Sequence, residues 1–449
     1  MVKFMSKKNK FGGLSGMLTK TLCIVCLAAM LSSCGSSDGY SYSVGGTVDG
    51  LAGSGLVLQN NGGDDLSISA NGSFTFSKAV ANESNYAVTI KTQPRAFSQT
   101  CTVSNGSGTI DTSPVSNVVV SCVTLSPRFV IDPSGNPSGG FAYMVNRSSN
   151  TILPYTINQT TGALTDGTTL ATGIDPDYVT IHPSGKFVYA SNTSSNNISV
   201  YKIVDGALTA GTPVDAGTNP AAVTIIPIIP SNEALSGKFA YVANRSSNTI
   251  SVYAIDQDNG ALTTVGTPVE TGTNPNSVTI DPSGTFAYVA NYSSNTISVY
   301  KIDPVNGALT NRTDFWAGTN PNSVTIDPWG KYAYTANYDF DTISVYAINP
   351  VSGALTAVGT PVETGTNPNS VTIDPSGTFA YVANYSSNNI SVYTIQATGA
   401  LIDRTDILAG TNPYAVVIHP LGKFAYVLNA VYNTITVYNI EAGALTPAP

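Results

Sequence analysis

Histidine and cysteine are scarce in this sequence, which has two histidines and five cysteines among 449 residues. Its Cys-x-x-Cys pair, Cys23 and Cys26, lies in an N-terminal segment that we expect to be removed. Few nitrogen and sulfur ligands then remain, so we predict no metal site and no cofactor. His182 and His419 each replace an aspartate of a recurring turn, where we expect them to bond local backbone groups.

Charged residues make up only 10% of the chain, and 27 acidic residues outnumber 19 basic ones. Residues 1–33 contain five lysines and no acid, so their removal changes the formal charge from −8 by −5 to −13. That charge has the wrong sign for gripping a phosphate backbone or an anionic lipid surface. We therefore expect no nucleic-acid partner.

Helical spacing of apolar residues is missing from most of the chain. Apolar residues instead form short β-branched and aromatic blocks, such as SVTI (277–280), FAYVA (286–290) and TISVY (296–300). Gly, Asn, Ser and Pro separate these blocks, which is the pattern of strands and turns. The chain is predicted to be all-β.

These blocks belong to a unit that occurs seven times, with spacings of 46, 52, 47, 46, 47 and 45 residues. An asparagine marks the end of the second block in each unit: Asn146, Asn192, Asn244, Asn291, Asn337, Asn384 and Asn429. A period of this length fits a four-stranded propeller blade. We predict a seven-bladed β-propeller over residues 124–449.

The last unit ends in a short, Pro-rich segment that we judge too short for a full fourth strand. We expect the seventh blade either to remain three-stranded or to borrow a strand from residues 117–124.

The second block of the fourth unit, Tyr288-Val289-Ala290-Asn291, resembles the YVTN repeat, and the whole ring resembles the lactonase-like seven-bladed propellers. This resemblance implies the fold from about residue 127 onward. It supplies no catalytic motif, because propellers host many unrelated functions. Two functions stay open. We favour recognition or scaffolding of a protein or glycan; the alternative is a hydrolase acting on a sugar lactone.

The N terminus is typical of an exported protein. Residues 1–33 combine the five lysines with an eleven-residue apolar run, which predicts a signal peptide. The run ends in Leu31-Ser32-Ser33-Cys34, which is similar to a bacterial lipobox and implies lipidation of Cys34, with residues 34–40 as a tether. Gly35, rather than Asp, follows the cysteine, and by resemblance to known lipoprotein sorting preferences this implies the outer membrane. The alternative is an ordinary cleavage site with a chance cysteine.

Residues 41–123 lack the repeat and contain seven short β-like segments separated by turns. They resemble the immunoglobulin-like β-sandwich modules of bacterial surface proteins. Cys101 and Cys122 lie in two of these segments, and export places them in an oxidising compartment. A disulfide is predicted, with a pair of buried thiols as the alternative.

Two groups of candidate site residues lie on one face of the predicted ring, which we call the upper face. The turns between the second and third strands of the blades carry Arg147, Arg245, Tyr292, Tyr338 and Tyr385. Tyrosine and arginine are enriched in recognition surfaces, so these residues are predicted to bind a ligand. The tyrosines are equally expected if they only cover blade edges.

A second group comes from blades one, two and seven, which become neighbours when the ring closes. Where most units read NPNS, these units carry Arg128, Asp175, Asp177, Tyr178 and Tyr414. We expect these side chains to converge at the channel mouth, where they are the candidates for catalysis. The alternative is an Arg–Asp pair that only holds the seam.

Overall fold

A computed structural model describes residues 40–448, except 50, 52–54, 93–98, 125–127, 134–139, 230–231, 234 and 432–433. The predicted signal peptide and Cys34 lie outside the described residues, as does the tether before residue 40. All regular elements of the described part are β-strands. None of it forms an apolar helix of membrane-spanning length.

Ten strands precede the propeller, and within the described residues none of them pairs with a later strand. They are β1 (Ser41–Tyr42), β2 (Val44–Asp49), β3 (Leu56–Asn60), β4 (Asp64–Ile68), β5 (Gly72–Thr75), β6 (Val80–Ala81), β7 (Asn85–Thr92), β8 (Gln99–Ser104), β9 (Ser107–Thr109) and β10 (Val115–Thr124). Two four-stranded sheets have the orders β5-β2-β10-β8 and β4-β3-β7-β9.

The two sheets share one buried apolar cluster, to which Val48 of β2 and Leu58 of β3 both belong. Burial of both inner faces makes this part a small β-sandwich. Cys101 and Cys122 face each other across β8 and β10 and form the predicted disulfide, with an S–S distance of 2.02 Å. The likeness to immunoglobulin modules stays a prediction.

Seven further sheets form the blades of a propeller. Blades one to three consist of β11 (Arg128–Ile131), β12 (Gly140–Asn146), β13 (Thr151–Ile157), β14 (Leu164–Asp166) and β15 (Leu170–Ala171); β16 (Pro176–Ile181), β17 (Phe187–Asn192), β18 (Asn197–Val204), β19 (Ala207–Ala210) and β20 (Val214–Asp215); and β21 (Pro220–Ile225), β22 (Phe239–Asn244), β23 (Thr249–Ile255), β24 (Leu262–Thr264) and β25 (Val269–Glu270).

Blades four to seven consist of β26 (Pro275–Ile280), β27 (Phe286–Asn291), β28 (Thr296–Ile302) and β29 (Leu309–Trp316); β30 (Pro321–Ile326), β31 (Tyr332–Asn337), β32 (Thr342–Ile348), β33 (Leu355–Ala357) and β34 (Val362–Glu363); β35 (Pro368–Ile373), β36 (Phe379–Asn384), β37 (Asn389–Ile395) and β38 (Leu401–Leu408); and β39 (Pro413–Ile418), β40 (Phe424–Asn429), β41 (Thr434–Glu441) and β42 (Ala444–Pro447).

Each blade is an antiparallel meander, and we call its strands a to d from the axis outward. In blades one, two, three and five, strand d is split into two short pieces that pair with the same strand c. The a strands contact one another around the ring, and β39 contacts β11, so the ring is closed. The predicted all-β architecture with seven blades is confirmed.

Both expectations about ring closure were wrong. The four residues of β42 pair with β41 from Glu441 to Tyr438 and give the last blade its fourth strand. Residues 117–124 belong to β10, which pairs with β2 and β8 in the sandwich. Blades seven and one are instead joined by side chains, since Phe129 and Met144 share a buried cluster with Tyr426 and Leu428.

One hydrogen bond is repeated at all seven blade junctions. A tyrosine of strand b donates its hydroxyl to the carbonyl of a glycine in the c–d turn of the next blade. The pairs are Tyr143–Gly206, Tyr189–Gly260, Tyr241–Gly307, Tyr288–Gly353, Tyr334–Gly399, Tyr381–Gly443 and Tyr426–Gly162, at 2.8–3.2 Å. Burial raises the pKa of all these tyrosines, which keeps them neutral donors.

The acceptor must be glycine for two reasons that Gly353 illustrates. Its φ is +72°, a conformation that L-residues with a side chain adopt only at a cost. A Cβ atom would also lie 2.6 Å from the ring of Phe286, which occupies the same face of strand b as Tyr288. The glycine therefore seats the aromatic pair of the neighbouring blade.

We predict that Gly353→Ala destabilises the protein by about 2 kcal/mol more than Gly266→Ala. Gly266 is the matched control, because its φ of +64° carries the same backbone cost but no atom lies within 4 Å of the position that an added methyl group would occupy. Urea unfolding of both variants measures the difference. Equal losses of stability would show that the Phe286 contact does not join the blades.

Candidate functional site

The upper mouth of the ring is built from one position in each blade, the residue that follows the proline at the start of strand a. Six blades supply a polar side chain there: Arg128, Asp177, Asn276, Asn322, Asn369 and Tyr414. Blade three has Ala221 instead. Below the mouth, the a strands line a central cavity of about 550 Å³.

Asp177 is the buried centre of the mouth, with a side chain that is only 5% exposed. Its carboxylate pairs with Arg147 at 3.0 Å and with Arg245 at 3.3 Å, and its backbone carbonyl accepts from Arg128 Nε at 3.1 Å. Burial alone would raise the pKa of Asp177, but Arg147, Arg245 and Arg128 hold it below its ordinary value. The carboxylate therefore stays ionised, surrounded by three guanidinium groups.

Arg128 lies between two tyrosines. Its guanidinium carbon is 4.3 Å from the ring centre of Tyr414 and 5.1 Å from that of Tyr178, and it also donates to the Tyr414 hydroxyl. Burial would lower the pKa of Arg128, but Tyr414 and Asp177 raise it above its ordinary value. Burial raises the pKa of Tyr178, despite the opposing charge of Arg128. The predicted convergence of Arg128, Asp177, Tyr178 and Tyr414 is therefore seen.

Asp175 does not join this cluster. It has a φ of +56° in the turn that precedes β16, and its carboxylate accepts a hydrogen bond from Ser194. Asparagines occupy the corresponding left-handed position in five other blades: Asn219, Asn274, Asn320, Asn367 and Asn412. The left-handed backbone directs the Asp175 carboxylate to the b–c turn of its own blade rather than to the arginines of the mouth.

Arg147 and Arg245 lie on b–c turns, as predicted, but they fold inward and belong to the mouth. Arg147 also approaches Thr193 Oγ1 at 3.4 Å, and Arg245 Nε donates to Asn276 at 3.0 Å. Arg245 comes from the blade in which Ala221 leaves the mouth position empty. The small side chain of Ala221 is the sequence signal for the inward turn of Arg245, and it was overlooked. Blade one has Arg128 at the same position, so no such signal exists for Arg147.

The remaining predicted residues form an arc on blades four to six. The rings of Tyr292 and Tyr338 are 6.4 Å apart, and all three arc tyrosines are half-buried. Burial raises the pKa of Tyr338 to about 12, with smaller contributions from Tyr385 and Tyr292. The arc therefore offers neutral aromatic surface beside the charged side of the mouth.

The histidines lie on the opposite face, in the a–b turns. His182 Nδ1 accepts from the Ser184 amide at 3.1 Å, and His419 Nδ1 accepts from the Leu421 amide at 3.2 Å, as expected for turn residues. His182 Nε2 additionally bonds the Gly237 carbonyl of the next blade at 2.7 Å. Within the described ranges, no three His, Cys, Asp or Glu side chains are grouped as metal ligands would be.

Comparison with known protein families gives one match, to the family described as lactonase, 7-bladed beta-propeller. It covers residues 134–225, 232–326 and 312–418. A comparison with curated proteins found no match.

Several solved structures share the fold. A candidate 6-phosphogluconolactonase from Bacteroides fragilis is 22% identical, with a TM-score of 0.58 over 66% of this chain and 89% of that one. The periplasmic gluconolactonase of Pseudomonas aeruginosa is 17% identical, with a TM-score of 0.57 over 72% and 94%. Hydrazine synthase of Kuenenia stuttgartiensis is 21% identical, with a TM-score of 0.56 over 72% and 97%. At these identities the likeness shows the fold alone.

We predict that Asp177→Asn destabilises the protein by about 3 kcal/mol at pH 7, because it leaves the half-buried Arg147 and Arg245 without their buried counter-charge. The pKa of Asp177 is lower in the folded state, so its carboxylate stabilises the fold above about pH 3.9. That contribution is lost as the pH falls through the folded-state pKa.

The measurement is the free energy of unfolding of both proteins between pH 7 and pH 3. The difference between them should be constant near neutrality and shrink in acid. Asp175→Asn is the matched control and should change stability by less than about 0.5 kcal/mol. A difference that is independent of pH would contradict the assigned role of the carboxylate.

Proposed function

We propose that this chain, which belongs to the lactonase family of seven-bladed β-propellers, hydrolyses a sugar lactone at the upper mouth of its propeller. The observation that carries the proposal is the excess of arginine there. Arg147 and Arg245 pair with the carboxylate of Asp177 and Arg128 bonds its backbone carbonyl, so these three arginines and one carboxylate leave two positive charges in excess. The gluconolactonase from Pseudomonas aeruginosa, which shares the fold, supports this choice of substrate class.

Lactone hydrolysis needs positive charge or hydrogen-bond donors beside the carbonyl oxygen of the substrate. When water adds to the lactone carbonyl, negative charge develops on its oxygen, and preorganised donors lower the energy of that transition state. The arginines are preorganised, because Asp177 and the tyrosines already hold them in place. A substrate carbonyl directed at the mouth would meet donors that need little reorganisation.

Asp177 itself is assigned to positioning rather than to proton transfer. Both carboxylate oxygens are paired with arginines, and its lowered pKa makes it a weak base. Tyr178 lines the central cavity and remains protonated at neutral pH, since burial raises its pKa. It can donate its proton to the leaving ring oxygen and regain one from the attacking water, so the step balances. Strained cyclic esters hydrolyse in water without a catalyst, so stabilising the oxyanion is the main demand on the site.

The test is hydrolysis of glucono-δ-lactone followed by pH-stat titration of the acid produced. We predict turnover above the uncatalysed rate, and a loss of about 100-fold in kcat/KM for Arg128→Met. Arg312→Met is the matched control, because Arg312 lies on β29 and pairs only with Asp314 in the described structure. Equal rates with wild-type protein, with Arg128→Met and without protein would refute the proposal.

A second candidate function, recognition of a glycan, is favoured by the tyrosine arc. Neutral aromatic rings beside polar groups suit sugar rings, and a binder needs no proton transfer. Replacing Tyr292, Tyr338 and Tyr385 by alanine should then abolish capture on a glycan array while the fold persists. Unchanged capture by the triple variant would exclude the arc as the binding surface.

The cellular location of this activity is part of the same proposal. The basic N terminus, apolar run and Cys34 support export and lipid attachment to the cell envelope, with Gly35 favouring the outer membrane. Two or more acyl chains give stable attachment. Cys34→Ala should release the protein from the membrane fraction, and retention of that variant would contradict lipidation.

A further inference from the structure

Three asparagines continue the arginine cluster around the rest of the mouth. Arg245 donates to Asn276 Oδ1, Asn276 Nδ2 donates to Asn322 Oδ1, and Asn322 Nδ2 donates to Asn369 Oδ1 at 2.8 Å. Asn369 Nδ2 then donates to the Tyr414 carbonyl at 2.7 Å. Tyr414 and Asp177 both accept from Arg128, which closes the loop through all seven blades.

The three asparagine side-chain amides in this series of hydrogen bonds all point in the same direction around the ring. The groups at the two ends of the series, the Arg245 guanidinium and the Tyr414 carbonyl, explain why. A guanidinium can only donate hydrogen bonds, and a backbone carbonyl can only accept them. Between Arg245 and the Tyr414 carbonyl, each asparagine must therefore accept on one side and donate on the other. Rotating one amide by 180° would place donor against donor and acceptor against acceptor.

We infer that Asn276, Asn322 and Asn369 act as positioning residues, forming an amide relay that fixes Arg245 from the far side of the mouth. Among these amides Arg245 contacts only the first, whose orientation is held mainly by Asn322 Oδ1 and more weakly by the Asn322 backbone carbonyl at 3.4 Å. Asn322 is oriented in turn by Asn369, through its side-chain oxygen and its backbone carbonyl, each at 2.8 Å. Side-chain hydrogen bonds in such chains strengthen one another. If the relay is cut at Asn322, Asn276 Nδ2 keeps only the backbone carbonyl of residue 322, at 3.4 Å, so the amide is held less firmly. The Nε–H of Arg245 then loses a fixed acceptor, while its second guanidinium nitrogen still pairs with Asp177.

This inference adds three residues to the site, and its link to catalysis rests on the proposed lactone hydrolysis. The relay itself is a property of the mouth that can be measured without any substrate. Solvent exchange of the Arg245 Nε–H reports whether its acceptor is in place, because this group donates to Asn276 at 3.0 Å.

Asn322→Leu cuts the relay on both sides. Asn322→Asp removes only one of the two bonds. A carboxylate still accepts the hydrogen bond from Asn276 but cannot donate one to Asn369. Thr325→Val is the matched control. Thr325 Oγ1 donates to the Val371 carbonyl at 2.7 Å, so this variant removes a bond between the same two blades without touching the relay.

In full-length protein labelled with ¹⁵N-arginine, and with the signal assigned by Arg245→Lys, we expect about tenfold faster exchange of the Arg245 Nε–H in Asn322→Leu. Asn322→Asp and Thr325→Val should leave it within about twofold of wild type. Exchange unchanged in Asn322→Leu, or accelerated equally in Thr325→Val or in Asn322→Asp, would overturn the relay.

The kinetic arm uses glucono-δ-lactone and the same variants. A fall in kcat with little change in KM is expected for Asn322→Leu, and Asn322→Asp should recover most of it. If the exchange result is as expected but wild-type protein shows no turnover, the relay stands and the proposed hydrolysis fails. If wild type is active and Asn322→Leu keeps full kcat, the relay does not serve catalysis.

Discussion

The tyrosine–glycine bond between neighbouring blades is the constraint on which the remaining structure depends. It occurs at every junction, including the one between blades seven and one, where no strand is exchanged. Each such bond is worth only about 1 kcal/mol. Its seven repetitions nevertheless set the distance and angle between blades, because the same glycine also seats an aromatic ring of the preceding blade. The distances between the side chains of the mouth therefore depend on this repeated contact between blades.

The repeat makes the scaffold regular, and the mouth is where that regularity ends. Blades four to six keep asparagine at the inner position and tyrosine at the b–c turn, whereas blades one to three use arginine, aspartate and small residues. The outcome is a charged half and an aromatic half around one opening. A buried carboxylate with several arginines costs desolvation energy, which is tolerated where function requires preorganised charge. The seam interpretation and the site interpretation are compatible, since Arg128 joins Tyr414 of blade seven to Asp177 of blade two and also lines the central cavity.

The seven-fold repeat made the fold readable from the sequence, because strands, turns and blade number all follow from one period. Convergence of Arg128, Asp177 and Tyr414 was also predictable, since ring closure makes their blades neighbours. The inward turn of Arg147 and Arg245 was not, because it depends on partners in neighbouring blades: Asp177 accepts from both arginines, and Asn276 accepts from Arg245. The carboxylate of Asp175 does not join the arginines, because the left-handed backbone at this position directs it to Ser194 in the b–c turn of the same blade. Closure was misjudged because four residues suffice to pair with half of β41.

The most direct measurement of the central claim is a crystal structure of the protein with gluconolactam, a lactone mimic that resists hydrolysis. The account predicts the lactam at the upper mouth, with its carbonyl oxygen within hydrogen-bonding distance of one or more of Arg128, Arg147 and Arg245. Binding on the opposite face, in the c–d turns, or nowhere at saturating concentration would contradict it.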